Sequence, residues 1–233
     1  MTAFQYDAAI IDAFPDVTGG IILARGMQNG PSPDTLQAAF VAEQQAVLTR
    51  IGETPLSEIP AIAAWRRTFS KFGVKPTQYR SACEALLRRL TKKGDIPSIN
   101  TLVDIGNLVS IRYALPVAVV DTRAIQGAIT VHFADGSEPF TELDSEEPVH
   151  PEPGEVVFTD ENKTVVARRW CWRQSAESAA REDTTDALIT FEAQHETGRT
   201  DVEQAGEDLL ALLREYAGGD YSMAILSREK PAV

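Results

Sequence analysis

The chain has 233 residues, of which 43% are hydrophobic, and a formal net charge of −12 at pH 7. This length supports one domain with a sizeable core, and we predict that residues 1–233 form a single domain. There is no apolar run of about 18 residues, which argues against a transmembrane helix, and the first residues lack the basic and apolar regions of a signal peptide. We therefore expect a cytoplasmic protein with no membrane contact. The acidic balance also argues against tight, non-specific binding of nucleic acid.

Charge is distributed unevenly along the chain. Residues 61–95 contain nine Lys or Arg against two acids, whereas residues 133–161 contain ten acids and no Lys or Arg. A local basic face would be able to meet a phosphate backbone, although ordinary solvated helix faces would give the same pattern. Three histidines and two cysteines at scattered positions give no zinc-binding spacing. Neither a P-loop nor a dinucleotide-binding glycine motif is present, so we predict no metal and no cofactor.

The first ninety residues contain mainly helical patterns. A short buried strand is predicted at residues 21–23, before a loop rich in proline and glycine. Ser32 or Asp34 is expected to cap a helix that ends near Ile51. A second helix is predicted over residues 60–72. A third begins after Thr77 or Ser81 and ends at Gly94, since Gly commonly follows the last turn of a helix.

After a helix that follows Asn100, the pattern becomes rich in β-branched residues and turns. The predicted strands are residues 117–120, 128–133, 156–159, 164–169 and 187–192. Residues 135–154 are acidic and rich in proline, which predicts a surface loop. A capping box at Thr200 and Glu203 predicts a last helix over residues 201–217, and the tail from Ser227 is expected to fray. The fold class predicted is α/β of mixed (α+β) topology, with a mixed sheet flanked by helices.

The most unusual stretch of the sequence runs from Asn100 to Asp121. Asn100, Asp104 and Asn107 follow one another at spacings of four and three, which places them near one face of the predicted helix. Apolar residues cover its other faces. The three polar side chains could cap the helix and tie it to neighbouring loops, or they could orient a water and a bound ligand. The sequence leaves both interpretations open.

A second unusual segment spans residues 168–174 and contains two of the three tryptophans of the chain. In a strand, Trp170 and Trp172 face one side, while Arg169 and Arg173 face the other. Aromatic rings and guanidinium groups offer stacking and pairing with phosphate or carboxylate. This combination favours binding of a nucleotide end or an amino-acid ester. The alternative is a tryptophan pair in the core and an arginine face in water.

The order and spacing of the polar residues and the proline in residues 100–121 resemble the sequence pattern of a known family. The pattern of the B3/B4 domain of the phenylalanyl-tRNA synthetase beta subunit is roughly N-x-x-V-D-x-x-N, a short gap, then P-x-H-x-x-D. The matching residues here are Asn100, Val103, Asp104, Asn107, Pro116 and Asp121. The resemblance continues through Gly127, the pair Gly136 and Glu138, and the strand that ends at Asp160. It predicts a free-standing B3/B4-like core over residues 61–200, with residues 1–60 as the N-terminal part of the same fold.

The resemblance implies an activity, because the B3/B4 domain of the synthetase hydrolyses amino acids wrongly attached to tRNA. Our first hypothesis is therefore an aminoacyl-tRNA deacylase that edits mischarged tRNA in trans, with tRNA or aminoacyl-tRNA as partner. Such a site needs a positioned water, donors for the oxyanion and a selective pocket. The predicted catalytic residues are Asp104, Asn107, His132 and Arg173. The predicted substrate-binding residues are Asn100, Asp160, Glu161, Arg169, Trp170, Trp172 and Gln174, and the predicted tRNA-binding residues are Arg66, Arg67, Arg80, Arg88 and Arg89.

The chain departs from the family pattern at one position that the resemblance makes important. Where the family has a histidine of its editing site, two residues after the proline, this chain has Ala118. His132 could partly compensate, or it could be a structural histidine. The acidic residue of the family site falls near Asp160 or Glu161, which could equally close a hairpin. The missing histidine and the net acidity favour the alternative hypothesis, a non-catalytic module that binds an amino acid, tRNA or another protein. A hydrolase for a small ester or amide is a third, weaker option.

Overall fold

The structure, a computed structural model, describes residues 3–145 and 147–233. Its helices are α1 (Ala8–Ala13), α2 (Asp34–Ile51), α3 (Pro60–Lys71), α4 (Ala82–Lys93), α5 (Thr101–Tyr113) and α6 (Gly198–Tyr216). Its strands are β1 (Phe4–Tyr6), β2 (Thr18–Arg25), β3 (Val117–Asp121), β4 (Ile129–Phe133), β5 (Val156–Thr159), β6 (Val165–Arg168), β7 (Arg173–Gln174), β8 (Ala187–Ala193) and β9 (Asp220–Leu226). Within these ranges no helix is long and apolar enough to cross a membrane.

The strands divide between two sheets. The first has the order β1-β4-β5-β6-β7, in which β1 runs parallel to β4 and the other neighbours are antiparallel. The second has the order β3-β8-β2-β9 and is antiparallel throughout. The predicted mixed α/β class is confirmed, with two sheets where the sequence suggested one.

Local signals place the ends of the central helices. The Ser81 hydroxyl accepts a hydrogen bond from the Glu84 amide at the start of α4, and Gly94 follows its last residue in the left-handed conformation. The Asn100 side chain accepts from the Val103 amide, 3.0 Å away, at the start of α5. These caps satisfy amides that the helix leaves without intrahelical partners, which is why α4 and α5 begin where the sequence predicts.

One contiguous cluster of buried apolar side chains extends between both sheets and the helices that cover them. Its large members include Phe4, Ile22, Phe40, Trp65, Leu108, Trp170 and Phe191. Burying each such side chain stabilises the fold by about 1.5–3 kcal/mol. The two sheets therefore share their core, and residues from opposite ends of the chain meet inside it.

Several predicted elements were wrong in their bounds or type. Helix α6 begins at Gly198, because the chain turns back after β8 through the bond from the Gly198 amide to the His195 carbonyl, so Thr200 lies inside the first turn. No side chain caps α2, since the Ser32 hydroxyl bonds to Asp104 instead.

The two ends of the chain also differ from the prediction. β1 and α1 were not predicted, and residues 220–226, which the sequence left unassigned, form β9 against β2. The tail is not frayed, because residues 231–233 pair with β1. Such pairings depend on partners 195 or more residues away in sequence, which local patterns cannot reveal.

Candidate functional site

A cleft with a cavity volume of about 90 Å³ lies where the two sheets meet and is partly open to solvent. Phe158 on β5 and Ala167 on β6 line it from the first sheet. Ala118 on β3 and Thr190 on β8, which are register neighbours, line it from the second. Apolar surface predominates along these walls. The position of the family histidine, Ala118, therefore faces a space that a ligand can enter.

The segment between β6 and β7 forms the mouth of the cleft, and it is a tight turn rather than the predicted strand. Arg169 and Trp170 adopt the left-handed conformation, with φ of 47° and 61°. Each costs about 1–3 kcal/mol. The surrounding contacts hold the turn, since the Trp170 amide bonds to the Val156 carbonyl at 2.7 Å and the Arg169 amide bonds to Glu155. The predicted alternation of side chains between the two faces of a strand does not hold here, because two successive residues in the left-handed conformation reverse the chain.

The turn sends its two tryptophans in different directions. Trp170 is fully buried and packs edge-to-face against Phe14 and Trp65, with ring centroids 5.0 and 5.5 Å apart. Trp172 is half-buried and lies at the mouth of the cleft. The prediction that the two rings share a face was therefore wrong. One tryptophan supports the core and the other lines the mouth of the cleft.

Trp172 belongs to an arginine–aromatic stack, which we define as Tyr79, Arg169, Trp172 and Arg173. The guanidinium carbon of Arg169 lies 3.8 Å from the ring centroid of Tyr79 and 4.4 Å from that of Trp172. The guanidinium carbon of Arg173 lies 4.7 Å from the Trp172 centroid. Tyr79 was not predicted as a site residue, because it is separated from the others by ninety residues of sequence. The stack presents π surface and positive charge together.

Glu192 lies at the inner end of the cleft and is only 2% exposed. The Tyr6 hydroxyl and the Trp170 indole N–H both donate to its Oε1, at 2.5 and 3.1 Å. Burial raises the pKa of Glu192 from its ordinary 4.5 to about 7, although both hydrogen bonds oppose the change. Sequence analysis missed this residue. The available signal was a single acid in β8, a strand whose residues are otherwise uncharged and all buried.

The polar residues of α5 lie outside the cleft lining. The Asp104 carboxylate is fully buried and accepts from the Ser32 hydroxyl at 2.6 Å, the Ile99 amide at 2.8 Å and the Ser98 hydroxyl. Asn100 caps α5 and also accepts from Asn29. Asn107 lies half-buried on the same helix. The contacts of Asp104 and Asn100 tie α5 to the loops before it, so both have a structural role whether or not they act on a ligand.

The remaining predicted residues of the first sheet also lie outside the cleft lining. His132 bonds to the Phe133 carbonyl at 3.0 Å and to the Thr159 hydroxyl at 2.8 Å. Asp160 accepts from three backbone amides of the turns beside β5, and Glu161 accepts from the Ala128 amide. The predicted residues that the structure brings to the cleft are Trp170, Trp172, Arg173 and Gln174, with Arg169 stacked beside them.

The predicted tRNA-binding arginines lie on or beside α3 and α4. Glu84 pairs with Arg66 at 2.7 Å and with Arg80 at 3.7 Å, which neutralises part of their charge. Arg89 pairs with Asp95 at 3.4 Å. Arg67 and Arg88 are exposed. In the described part of the chain, no group of three or more His, Cys, Asp or Glu side chains is placed to hold a metal ion.

Comparison with known protein families identifies the family of the chain. Residues 64–218 match the model of the B3/4 domain, and the chain belongs to this family. The resemblance predicted from the sequence is therefore confirmed. The matched range begins after α2 and ends before β9, so β1, β2, α2 and β9 lie outside it.

Two comparisons with individual proteins accompany the family match. The chain is 27% identical over 157 residues to the phenylalanine--tRNA ligase beta subunit of Aliivibrio fischeri (strain ATCC 700601 / ES114). That alignment covers 66% of this chain but only 19% of the relative, so the chain spans a small part of its length. An N-terminal fragment of the phenylalanyl-tRNA synthetase beta subunit from Pyrococcus horikoshii aligns over 94% of this chain and 50% of that one, with a TM-score of 0.48 and 11% identity.

Proposed function

We propose that the protein hydrolyses the ester bond of an aminoacyl-tRNA and thereby removes an amino acid from tRNA. The observation that carries this proposal is Glu192, a buried carboxyl with a pKa of about 7 at the inner end of an apolar cleft. A group whose pKa lies near the working pH is suited to general base catalysis. The family relative is a subunit of a tRNA ligase, which favours a tRNA ester as substrate.

The reaction requires one activated water. In our proposal the ionised Glu192 accepts a proton as the water oxygen adds to the ester carbonyl carbon. The ester C–O bond then breaks, the amino acid leaves with a free carboxyl group, and the ribose oxygen takes the proton. The two hydrogen bonds of Glu192 both reach Oε1, which leaves Oε2 for the water. The apolar walls strengthen these electrostatic interactions because they exclude bulk solvent.

The mouth of the cleft has the chemistry expected for a nucleotide end. Arg173 is half-exposed, with a guanidinium suited to a phosphate. In the proposed complex a base would stack on the Trp172 ring in place of the Arg173 guanidinium that now lies over it. Arg67 and Arg88 extend positive charge along α3 and α4. A local basic surface is compatible with the net charge of −12, because phosphate contacts depend on the nearby field rather than on the total.

The direct test is deacylation of a panel of correctly and incorrectly charged tRNAs by the purified protein. We expect release of a restricted set of amino acids and a loss of about 10²-fold or more in Glu192→Gln. The matched control is Glu177→Gln, which changes an exposed glutamate outside the cleft lining. Full activity in Glu192→Gln would remove the basis of the proposed mechanism.

The alternative is a binding module without catalysis, and the specific observation in its favour is Ala118 in the cleft at the place of the family histidine. Salt distinguishes the ligands of such a module. Binding of tRNA through Lys and Arg weakens steeply as salt rises, whereas binding of a free amino acid in the cleft changes little. Arg67→Glu and Arg88→Glu would weaken tRNA binding, and Arg199→Glu, an exposed change on α6, is the matched control.

A further inference from the structure

The carboxyl group in the cleft is held by a residue that lies outside the matched family domain. We infer that Tyr6 is a positioning residue for Glu192, and that Gly19 and residues 231–233 place Tyr6 for this task. The inference rests on the proposed function for its effect on catalysis. Its structural part, that these segments control the state of the carboxyl, is measurable without any substrate.

The bond between Tyr6 and Glu192 joins the two sheets. Tyr6 ends β1 in the first sheet, Glu192 lies on β8 in the second, and the hydroxyl is 2.5 Å from Oε1. Tyr6 is 4% exposed, and its ring neighbour Phe4 packs edge-to-face at 5.5 Å. Burial and the adjacent Glu192 raise the pKa of Tyr6 well above its ordinary value, so its hydroxyl keeps the proton that it donates.

Gly19 gives the Tyr6 hydroxyl the room that it needs. Gly19 on β2 is the register neighbour of Glu192 on β8. A Cβ atom built on Gly19 would collide with the Tyr6 hydroxyl oxygen. The absence of a side chain at this one position therefore lets a tyrosine from the other sheet reach Glu192. Tyr6 and Gly19 both precede the residues that match the family model.

Residues 231–233 fix β1 from the side opposite β4. The Tyr6 amide bonds to the Pro231 carbonyl at 2.9 Å, and the Val233 amide bonds to the Phe4 carbonyl at 3.0 Å. β1 has only three residues and pairs with β4 on its other side. These bonds limit the movement of so short a strand, and they hold Tyr6 at the depth at which its hydroxyl meets the carboxylate.

The hydrogen bond has two consequences for Glu192. A donor on Oε1 favours the ionised carboxylate and so opposes the effect of burial. It also fixes the carboxyl plane. The titratable groups that face Glu192 among the described residues are Tyr6 from β1 and the Cys171 thiol from the turn after β6. Gly19, its register neighbour on β2, is uncharged, as are Ala118 and Thr190, which line the same cleft.

The test measures the titration of Glu192 directly, by NMR of protein labelled with carbon-13 at the glutamate carboxyl groups. Glu192→Gln assigns the signal. We expect Tyr6→Phe to raise the Glu192 pKa by about one unit or more, and Gly19→Ala to have the same effect by displacing the hydroxyl. Tyr221→Phe is the control, because it removes a hydroxyl that bonds to the Leu213 carbonyl on α6 and leaves Glu192 untouched.

Deacylation provides the second readout. In Tyr6→Phe the rising limb of kcat against pH should move to higher pH by the same amount, with KM little changed, whereas a merely structural role would lower activity equally at all pH values. An unchanged Glu192 titration in both Tyr6→Phe and Gly19→Ala would overturn the inference. A shifted titration in a protein that deacylates no tRNA would support the role of Tyr6 and contradict the proposed function.

Discussion

Arg173, at the mouth of the cleft, forms an ion pair with Glu142, with 2.7 Å between Nη1 and Oε2. The pair connects the acidic segment of residues 133–161 to the arginine–aromatic stack. Both side chains are partly exposed, 50% for Arg173 and 36% for Glu142. An exposed pair of this kind contributes about 0.2–1 kcal/mol. Because the pair is weak and exposed, a tRNA phosphate, which carries the same single negative charge as the carboxylate, would be able to replace Glu142 on Arg173 in the proposed complex.

We predict that the two partners have opposite effects on tRNA binding. Glu142→Gln should tighten binding by a few-fold, because the phosphate no longer competes with a carboxylate, whereas Arg173→Gln should weaken it. Arg173→Gln should also reduce the slope of log K against log salt by about 1, the loss of one phosphate contact. Fluorescence anisotropy with labelled tRNA over a salt series measures both quantities.

The control for this pair is Lys163→Gln, which breaks a similar exposed ion pair with Asp135 away from the cleft. It should leave affinity and slope nearly unchanged. Equal effects of Lys163→Gln and Arg173→Gln would indicate a general field effect and no specific contact at Arg173.

Ala118→His should increase deacylation. Position 118 lies in the cleft beside Thr190, and an imidazole there adds a second proton acceptor close to the ester. A well-placed general base increases the rate by about 10²–10⁴-fold. We expect a rate increase of about ten-fold or more for Ala118→His, because the orientation of the new imidazole is not optimised. Single-turnover kinetics with the preferred aminoacyl-tRNA measures the gain.

Ala118→Leu adds similar bulk without a ring nitrogen, and it separates the effect of chemistry from the effect of volume. It should lower activity by filling the cleft. If Ala118→His loses activity as Ala118→Leu does, the cleft binds the substrate in a position that a base at residue 118 cannot serve.

The stability of the protein should depend on pH through Glu192. Its pKa is about 7 in the folded protein and near 4.5 when unfolded, so between these pH values the folded state holds a proton that the unfolded state has released. Stability from this residue is fully present below pH 4.5 and falls as pH rises through 7. The loss is about 3 kcal/mol. Urea unfolding at pH 5 and pH 8 should show it in the wild type and not in Glu192→Gln.

Asp104→Asn should destabilise the protein while leaving the catalytic constants of the folded fraction nearly unchanged. The carboxylate accepts three hydrogen bonds inside the fold, and an amide can accept them only in part. We expect a loss of about 3 kcal/mol in the free energy of unfolding. Asp144→Asn, at an exposed position, is the control. A large fall in kcat with unchanged stability would instead assign Asp104 a catalytic role.

Local sequence signals predicted the parts of the structure that depend on neighbours along the chain. The ends of α4 and the start of α5 were predicted from Ser81, Gly94 and Asn100. The side chains or backbone conformations of these residues act on groups within four residues of them. The family pattern identified the family correctly for a similar reason, since its residues lie within one helix, the proline after it and the strand that follows.

The candidate site was harder to predict because its contacts join distant segments. Glu192 and Tyr6 are separated by 186 residues, and neither has a motif around it. The turn at Arg169 and Trp170 was missed for a different reason. Side chains of this size rarely adopt the left-handed conformation, so only the surrounding packing reveals that they do.

The separation of the cleft walls along the chain has a consequence during synthesis. Tyr6 emerges from the ribosome 186 residues before Glu192, and residues 231–233 follow later still. Contacts between such distant segments form slowly and late in folding. A nascent chain that has not yet reached β8 lacks Glu192, so the proposed activity would arise only after synthesis has passed this strand.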